Sequence, residues 1–196
     1  MPYFKIPDGA KPSKVASKDE TRPILTQGNI RQRNGEWVLE VTDSYCLSII
    51  PLAVCEGGDS MIRAGLVSRD VLLAVEKPKC GGFGFNADDT VSIYGRYSSV
   101  MATLPNAVTG GPYPHTDRLI NGCPAKSANG GLLRIGLNPQ LLAAIAAAQG
   151  RGNRKNSPPV VLEVDADAAT SGQYLRSMRV TVYGSENLLM PIRLNN

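Results

Sequence analysis

Side chains able to do covalent or metal chemistry are few and scattered. His115 is the sole histidine, and Cys46, Cys55, Cys80 and Cys123 include no C-x-x-C pair. A zinc site of the usual kind therefore lacks donors at usable spacing. Asp88-Asp89, and Asp165 with Asp167, sit between strand-like runs, where aspartate commonly serves a turn. Gly81-Gly82-Phe83-Gly84 lacks the Lys-Ser/Thr of a phosphate loop. No Ser or Cys nucleophile can be assigned to His115. The expectation is a non-enzymatic protein with no metal or cofactor, its thiols reduced and buried.

Three other stretches stand out along the chain. Thr42-Asp43-Ser44-Tyr45-Cys46-Leu47 directly follows a strand pattern. Tyr113 to Ile120 is a compact polar-apolar segment, and Asn187 to Leu194 is apolar, with Pro191 near its centre and Arg193 before the end. Proline gives up a backbone donor, so Pro191 belongs at a sheet edge or where pairing stops. The last segment reads either as an edge strand or as a strand turning outward to wall a groove. Taken alone, the first two fit an ordinary turn and an ordinary loop.

The elements that would position these stretches follow from pattern and punctuation. Hydrophobic residues make up 42% and charged residues 19% of 196, with 20 glycines and 14 prolines, a composition that favours a sheet-rich globular fold. Met1 to Ile6 is a short strand, Ser13 to Glu20 at most two helical turns, and Ile24 to Arg31 a strand. Asn34-Gly35 is a hairpin signal returning into Glu36 to Thr42, with Trp37, Leu39 and Val41 on one face and Val38 and Glu40 on the other. Leu47 to Val54 is the next strand. Met61 to Leu66 is a strand; Ser68 caps a helix from Arg69 to Glu76 that buries Val71, Leu72 and Val75. Strands at Phe83 to Phe85, Thr90 to Tyr94 and Ser98 to Leu104 follow. Asn121 to Gly131 reads as a linker and Leu132 to Leu137 as a strand. Asn138 caps a helix from Pro139 to Gln149, with proline at its first position, and strands follow at Val160 to Val164, Leu175 to Tyr183 and Leu188 to Leu194. The order strand, helix, three strands thus occurs three times, an internal repeat. The fold class expected is α+β, with antiparallel sheets and helices on one face.

The chain resembles the bacterial DNA polymerase III β sliding clamp, the ring-shaped processivity factor. Ser17-Lys18-Asp19-Glu20-Thr21-Arg22-Pro23-Ile24-Leu25-Thr26 looks like the opening of that family's middle domain. Thr42-Asp43-Ser44-Tyr45 looks like its T-D-S/G-Y/H-R-L segment, with Cys46 in place of the arginine. Tyr113-Pro114 to Leu119 resembles its F-P-D-Y-R-R-L/V segment, with His115-Thr116-Asp117 replacing most of the Asp-Tyr-Arg run. Leu189-Met190-Pro191-Ile192-Arg193-Leu194 is similar to its M-P-M/I/V-R-L ending.

The resemblance implies three of the family's six repeat units: residues 1–120 as a middle-domain equivalent and 121–196 as half of the last domain. It implies a groove for clamp-binding linear motifs of polymerases or repair enzymes. Its walls would be Leu25, Thr42, Ser44, Tyr45 and Leu47, then Pro114, Arg118 and Leu119, then Leu189, Met190, Pro191, Ile192 and Arg193. It also implies nonspecific contact of the helices with the backbone of double-stranded DNA. Lys11, Lys14 and Lys18, Arg69, Lys77 and Lys79, and Arg151, Arg154 and Lys155 fall on or beside the three helices, within a net charge of +4. Such charge suits phosphate neutralisation and equally a solvated basic surface. An unpaired half-domain leads to the expectation of a homo-oligomer. The expected function is a replication accessory protein that tethers such enzymes to DNA. The alternatives are a non-encircling decoy from a phage or mobile element and a homologue with an inactive groove. No apolar run approaches the ~20 residues of a membrane span, and the expected location is cytoplasmic, without a signal peptide or membrane contact.

Overall fold

The structure is a computed structural model that describes residues 2–56, 61–121, 137–149, 161–163, 178–182 and 185–190. The strands are β1 (Tyr3–Lys5), β2 (Gly28–Arg33), β3 (Glu36–Thr42), β4 (Cys46–Pro51), β5 (Ala53–Cys55), β6 (Gly65–Val67), β7 (Cys80–Phe85), β8 (Thr90–Gly95), β9 (Val100–Pro105), β10 (Val161–Glu163), β11 (Met178–Val182) and β12 (Ser185–Leu189). The helices are α1 (Arg69–Val75), α2 (Thr116–Asn121) and α3 (Pro139–Ala148), with 3-10 turns at Pro12–Lys14 and Pro23–Thr26. Two antiparallel sheets result, a five-stranded one in the order β5-β1-β7-β8-β9 and a seven-stranded one in the order β10-β11-β12-β4-β3-β2-β6. This is an α+β fold, as the patterning predicts.

Local chemistry explains the elements that fall where the sequence places them. Asn34 and Gly35 have φ of 51° and 84°, the positive values a type I′ hairpin requires at both positions. Ser68 Oγ accepts from Val71 N at 3.4 Å and Asn138 Oδ1 from Gln140 N at 2.9 Å, so both helices are capped by side chains. α1 packs on β7 and β8, α3 packs on β4 and β12, and the Pro12–Lys14 turn contacts both helices. One main core joins the two sheets and these helices through Phe4, Phe83, Ile30, Leu72, Ile145 and Met178, among others. A second cluster, Val38, Leu47, Ile49, Ile120 and Leu188, covers the other face of the seven-stranded sheet.

Five expectations need correction. The two helical turns from Ser13 to Glu20 reduce to the 3-10 turn, because Ser17 N donates to Leu25 O at 2.9 Å rather than continuing a helix. Ser13 instead bonds the Glu76 carboxylate through its N–H and hydroxyl, at 2.6 and 2.8 Å. The strand expected from Ile24 begins at Gly28, because Pro23 starts a 3-10 turn whose first carbonyl accepts from Thr26 Oγ1 and Gln27 Nε2. Leu47 to Val54 is two strands in different sheets, with buried Leu52 at the crossing and its N–H donating to Trp37 O at 2.8 Å. In the Met61 to Leu66 stretch, Met61 makes only an isolated bridge to Phe85, and the strand proper is β6. Lastly, β12 is no edge strand: it lies between β11 and β4. Of the remaining expected stretches, Leu132 to Gly136, the basic positions from Arg151 to Lys155 and Pro191 to Leu194 lie outside the described residues.

Candidate binding groove

The Thr42–Cys46 turn forms one wall. The Asp43 carboxylate accepts from Tyr45 N at 2.9 Å and Cys46 N at 2.8 Å, and Thr42 Oγ1 donates to Cys46 O at 2.7 Å. Ser44 takes φ of 80°, a left-handed conformation uncommon for a residue with a side chain. These bonds hold the turn closed and push the Tyr45 ring outward, where it is 59% exposed. A second wall comes from the Pro23–Thr26 turn, which presents Leu25. It is tied to the first wall by Arg22, whose Nε bonds Asp19 at 3.0 Å and whose Nη1 bonds Ser44 Oγ at 3.1 Å. Hydrogen bonds from Thr21, then the bond from Arg22, hold the Asp19 carboxyl below its ordinary range.

The third wall is α2 with its leading residues. Tyr113 Oη donates to Glu40 O at 3.0 Å, and burial, with the nearby Glu40 charge, pushes the phenol well above its ordinary pKa. Fully buried Glu40 receives Arg31 Nε and Thr116 Oγ1, both at 2.8 Å, and Asn29 Nδ2 at 3.2 Å. Arg31 reaches onward to Asp117 with two bonds of 2.9 and 2.7 Å, which hold that carboxyl below its ordinary value. This lattice sets α2 on the sheet with Ile120 buried and Leu119 51% exposed. The fourth wall is the end of β12. Leu188 pairs with Leu47, and Met190 N donates to Tyr45 O at 3.0 Å, carrying the pairing one step past the strand.

Between these walls lies an apolar cavity of about 440 Å³, lined by Leu25, Thr42, Ser44, Tyr45, Cys46, Leu47, Pro114, Leu119, Leu188 and Met190. It carries no charged side chain among the described residues. Its chemistry is that of a receptor for an apolar anchor, with Met190 adaptable in shape. Eight positions singled out in the sequence meet here. Arg118 is exposed on α2 and does not line the cavity, and Leu189 points into the main core, since strand alternation sends Leu188 to the groove face instead. Pro191, Ile192 and Arg193 lie outside the described residues. Leu188 and Cys46 were missed as lining residues. The Leu188-Leu189 pair carried the signal for one of them, because adjacent strand residues face opposite sides.

The basic positions fall differently. Lys11, Lys14, Lys18, Lys77 and Lys79 are exposed. The Ser13–Glu76 bonds bring residues 11–14 beside the end of α1, so four of those lysines share one region. Arg69 is half-buried and donates Nη1 to Ser17 O at 3.0 Å, a structural tie rather than a free cation. Arg151, Arg154 and Lys155 lie outside the described residues. Cys46, Cys55 and Cys80 are free thiols, and burial pushes those of Cys46 and Cys80 up. Asp88 accepts from Thr90 N and Oγ1, which makes it a turn residue. Among the described residues no group of three His, Cys, Asp or Glu could hold a metal, and no helix is long and apolar enough to cross a membrane.

No protein-family profile matches the sequence, and no curated protein matches it. Solved structures do match. The DNA polymerase III beta chain of Streptococcus pneumoniae TIGR4 superposes with a TM-score of 0.61 at 17% identity, over 94% of this chain and 61% of that one. The chain has the β sliding-clamp fold. The DNA polymerase III beta subunit of Thermotoga maritima matches this clamp-like chain with a TM-score of 0.58 at 11% identity, over 99% of it and 65% of the other. The C. crescentus beta sliding clamp, solved with polyethylene glycol bound to its proposed beta-motif tethering region, matches with a TM-score of 0.57 at 15% identity, over 97% and 65%. The clamp-like chain thus spans less than two thirds of the length of each of these structures.

Proposed function

We propose that the protein is a sliding-clamp-like replication accessory factor whose groove captures short apolar motifs of polymerases or repair enzymes and tethers those enzymes to DNA. On this reading residues 1–120 make a clamp-like domain and 121–196 a half-domain, and copies of the chain assemble together. The observation that carries it is the uncharged cavity of about 440 Å³ at the meeting point of four chain segments, flanked by the exposed side chains of Tyr45, Leu119 and Met190. Exposed apolar side chains grouped around a cavity mark binding surfaces. The fold match to a clamp that holds polyethylene glycol at its proposed motif-tethering region supports the same reading.

Fluorescence anisotropy with a labelled aliphatic clamp-binding peptide tests the groove. Saturable binding is expected, weakened at least about tenfold, or ~1.4 kcal/mol, in a Tyr45→Ala/Met190→Asp variant. A native protein that does not bind the peptide overturns the reading. Tethering is tested with a DNA duplex, for which weak, sequence-independent binding is expected. Replacing Lys11, Lys14 and Lys77 by glutamine should flatten its salt dependence, the slope falling by about 0.9 for each phosphate that is no longer neutralised. An unchanged slope would remove these lysines from the DNA surface. Light scattering reports the assembly, and a strict monomer that still binds peptide would leave a peptide-binding protein that does not encircle DNA.

A further inference from the structure

We infer that Arg31 and Asp117 form a latch that positions α2 as the movable wall of the groove, and so sets its affinity for an apolar ligand. The inference rests on the groove reading above and concerns residues that do not line the cavity. α2 spans six residues, Thr116–Asn121, too few for a helix to persist on its own, since isolated helices are marginal below about 12 to 15 residues. Its place is therefore set by what holds it. One hold is Ile120, buried in the second apolar cluster. Another is Thr116, buried and bonded to Glu40. The third is the bidentate pair of Arg31 with Asp117, joined by Arg33 at 3.6 Å.

These holds differ in kind, and a fourth, from Arg179 Nη2 to Ile120 O, is long at 3.4 Å. Ile120 and Thr116 are anchored in buried surroundings and release only if the sheet face opens. Asp117 is 52% exposed, so its pairing can open with the rest of the fold in place. Arg31 is fixed from below, its Nε bonded to Glu40, while its outer edge faces Asp117 and its Nη2 also reaches Thr116 Oγ1 at 3.0 Å. A planar guanidinium held on one edge makes a directional partner for a carboxylate on the other. Leu119, two residues on from Asp117, lines the cavity together with Leu47 and Met190. A small tilt of α2 about its buried anchors thus changes the width of the groove without exposing the core.

The test is the pair Asp117→Ala and Asp117→Glu in the full chain, read by peptide Kd, by amide hydrogen exchange in α2 and by Tm. Asp117→Ala is expected to raise Kd about three- to tenfold, the scale of a partly exposed charged pair. α2 amides should exchange faster by a similar factor, with Tm lowered by only a few degrees, roughly 5 °C at most. Asp117→Glu keeps the charge and should return Kd to within about twofold of native, a rescue expected if the ionic contact is what acts. A Kd for Asp117→Ala within twofold of native overturns the latch, as does unchanged α2 exchange, a large fall in Tm, or a glutamate variant no better than alanine. If the native protein binds no peptide, the groove reading falls, while α2 exchange still decides whether the latch holds the helix.

Discussion

Replacing Glu40 by alanine is expected to lower the unfolding free energy by about 3 to 5 kcal/mol, the cost of removing one partner from a buried ion pair. The carboxylate is fully buried in mid-sheet and gathers three side-chain donors, from Arg31, Thr116 and Asn29. Without it, the Arg31 guanidinium keeps only the half-exposed Asp117 as a counter-charge, and the buried Thr116 hydroxyl loses its acceptor. At about 2 to 4 °C per kcal/mol for a chain of this length, the fall in Tm is roughly 6 to 20 °C. Glu40→Gln keeps size and one acceptor but not charge, and should fall between. Urea unfolding measures both. A loss under about 1 kcal/mol for the alanine variant would show that Arg31 finds another partner and that the lattice is not what seats α2.

The second large effect is expected at Asn187. Its Oδ1 accepts from Ser48 Oγ at 3.0 Å and Gln149 Nε2 at 2.7 Å, while its Nδ2 donates to Val180 O and Ser185 O at 3.1 and 2.9 Å. Gln149 Nε2 also bonds Ser48 Oγ and Ile49 O. This buried knot ties α3, β4 and β12 together on the core side of the sheet. Asn187→Leu strands several polar atoms at once and should cost about 2 to 4 kcal/mol, since each unsatisfied buried group costs about 1 to 3. Peptide affinity should fall with it, because β12 carries Leu188 and Met190 to the groove. The triple variant Ser48→Ala/Gln149→Leu/Asn187→Leu removes the partners together and should recover much of the loss, as apolar replacement of a whole polar cluster often does. A triple variant as unstable as Asn187→Leu alone would argue that packing, not unsatisfied polarity, sets the cost.

What the sequence made legible is what local chemistry dictates. Asn34-Gly35 demanded its hairpin, Ser68 and Asn138 their helices, and the alternation in Glu36 to Thr42 its two faces. Most of the misreadings share one physical source, partners distant in sequence; the late start of β2 is the exception, set by local bonds to Pro23 O. Val38 and Glu40 are placed together on the second face of β3, and nothing in the alternation says that α2 will bury that face and its carboxylate. Leu47 to Val54 reads as one apolar run because β4 and β5 are both apolar in composition, although β4 is buried and β5 largely exposed, so the crossing at Leu52 leaves no mark. α2 is short and half polar, and it is helical because Glu40 and Arg31 hold it. For the groove, the segments were visible as motifs, but the choice between Leu188 and Leu189 depended on the register with β4, which pairs Leu188 with Leu47.

The insertion of β12 between β11 and β4 also orders events in time. Ser48 and Asn187, which meet across that pair, are separated by 139 positions in the chain. At about 5 to 20 residues per second of synthesis, the open side of β4 waits roughly 7 to 28 s on the ribosome for its neighbour. Through that interval a nascent chain has already made the β2–β3 hairpin but carries Leu47 and Ile49 beside an unpaired backbone edge, a template for pairing with another chain. Pairing at such separation also adds to the loop-closure cost that must be met before the contact forms, which slows that step. The same late strand that completes the groove therefore completes the sheet, so the protein acquires its binding surface and its protection from aggregation in a single step.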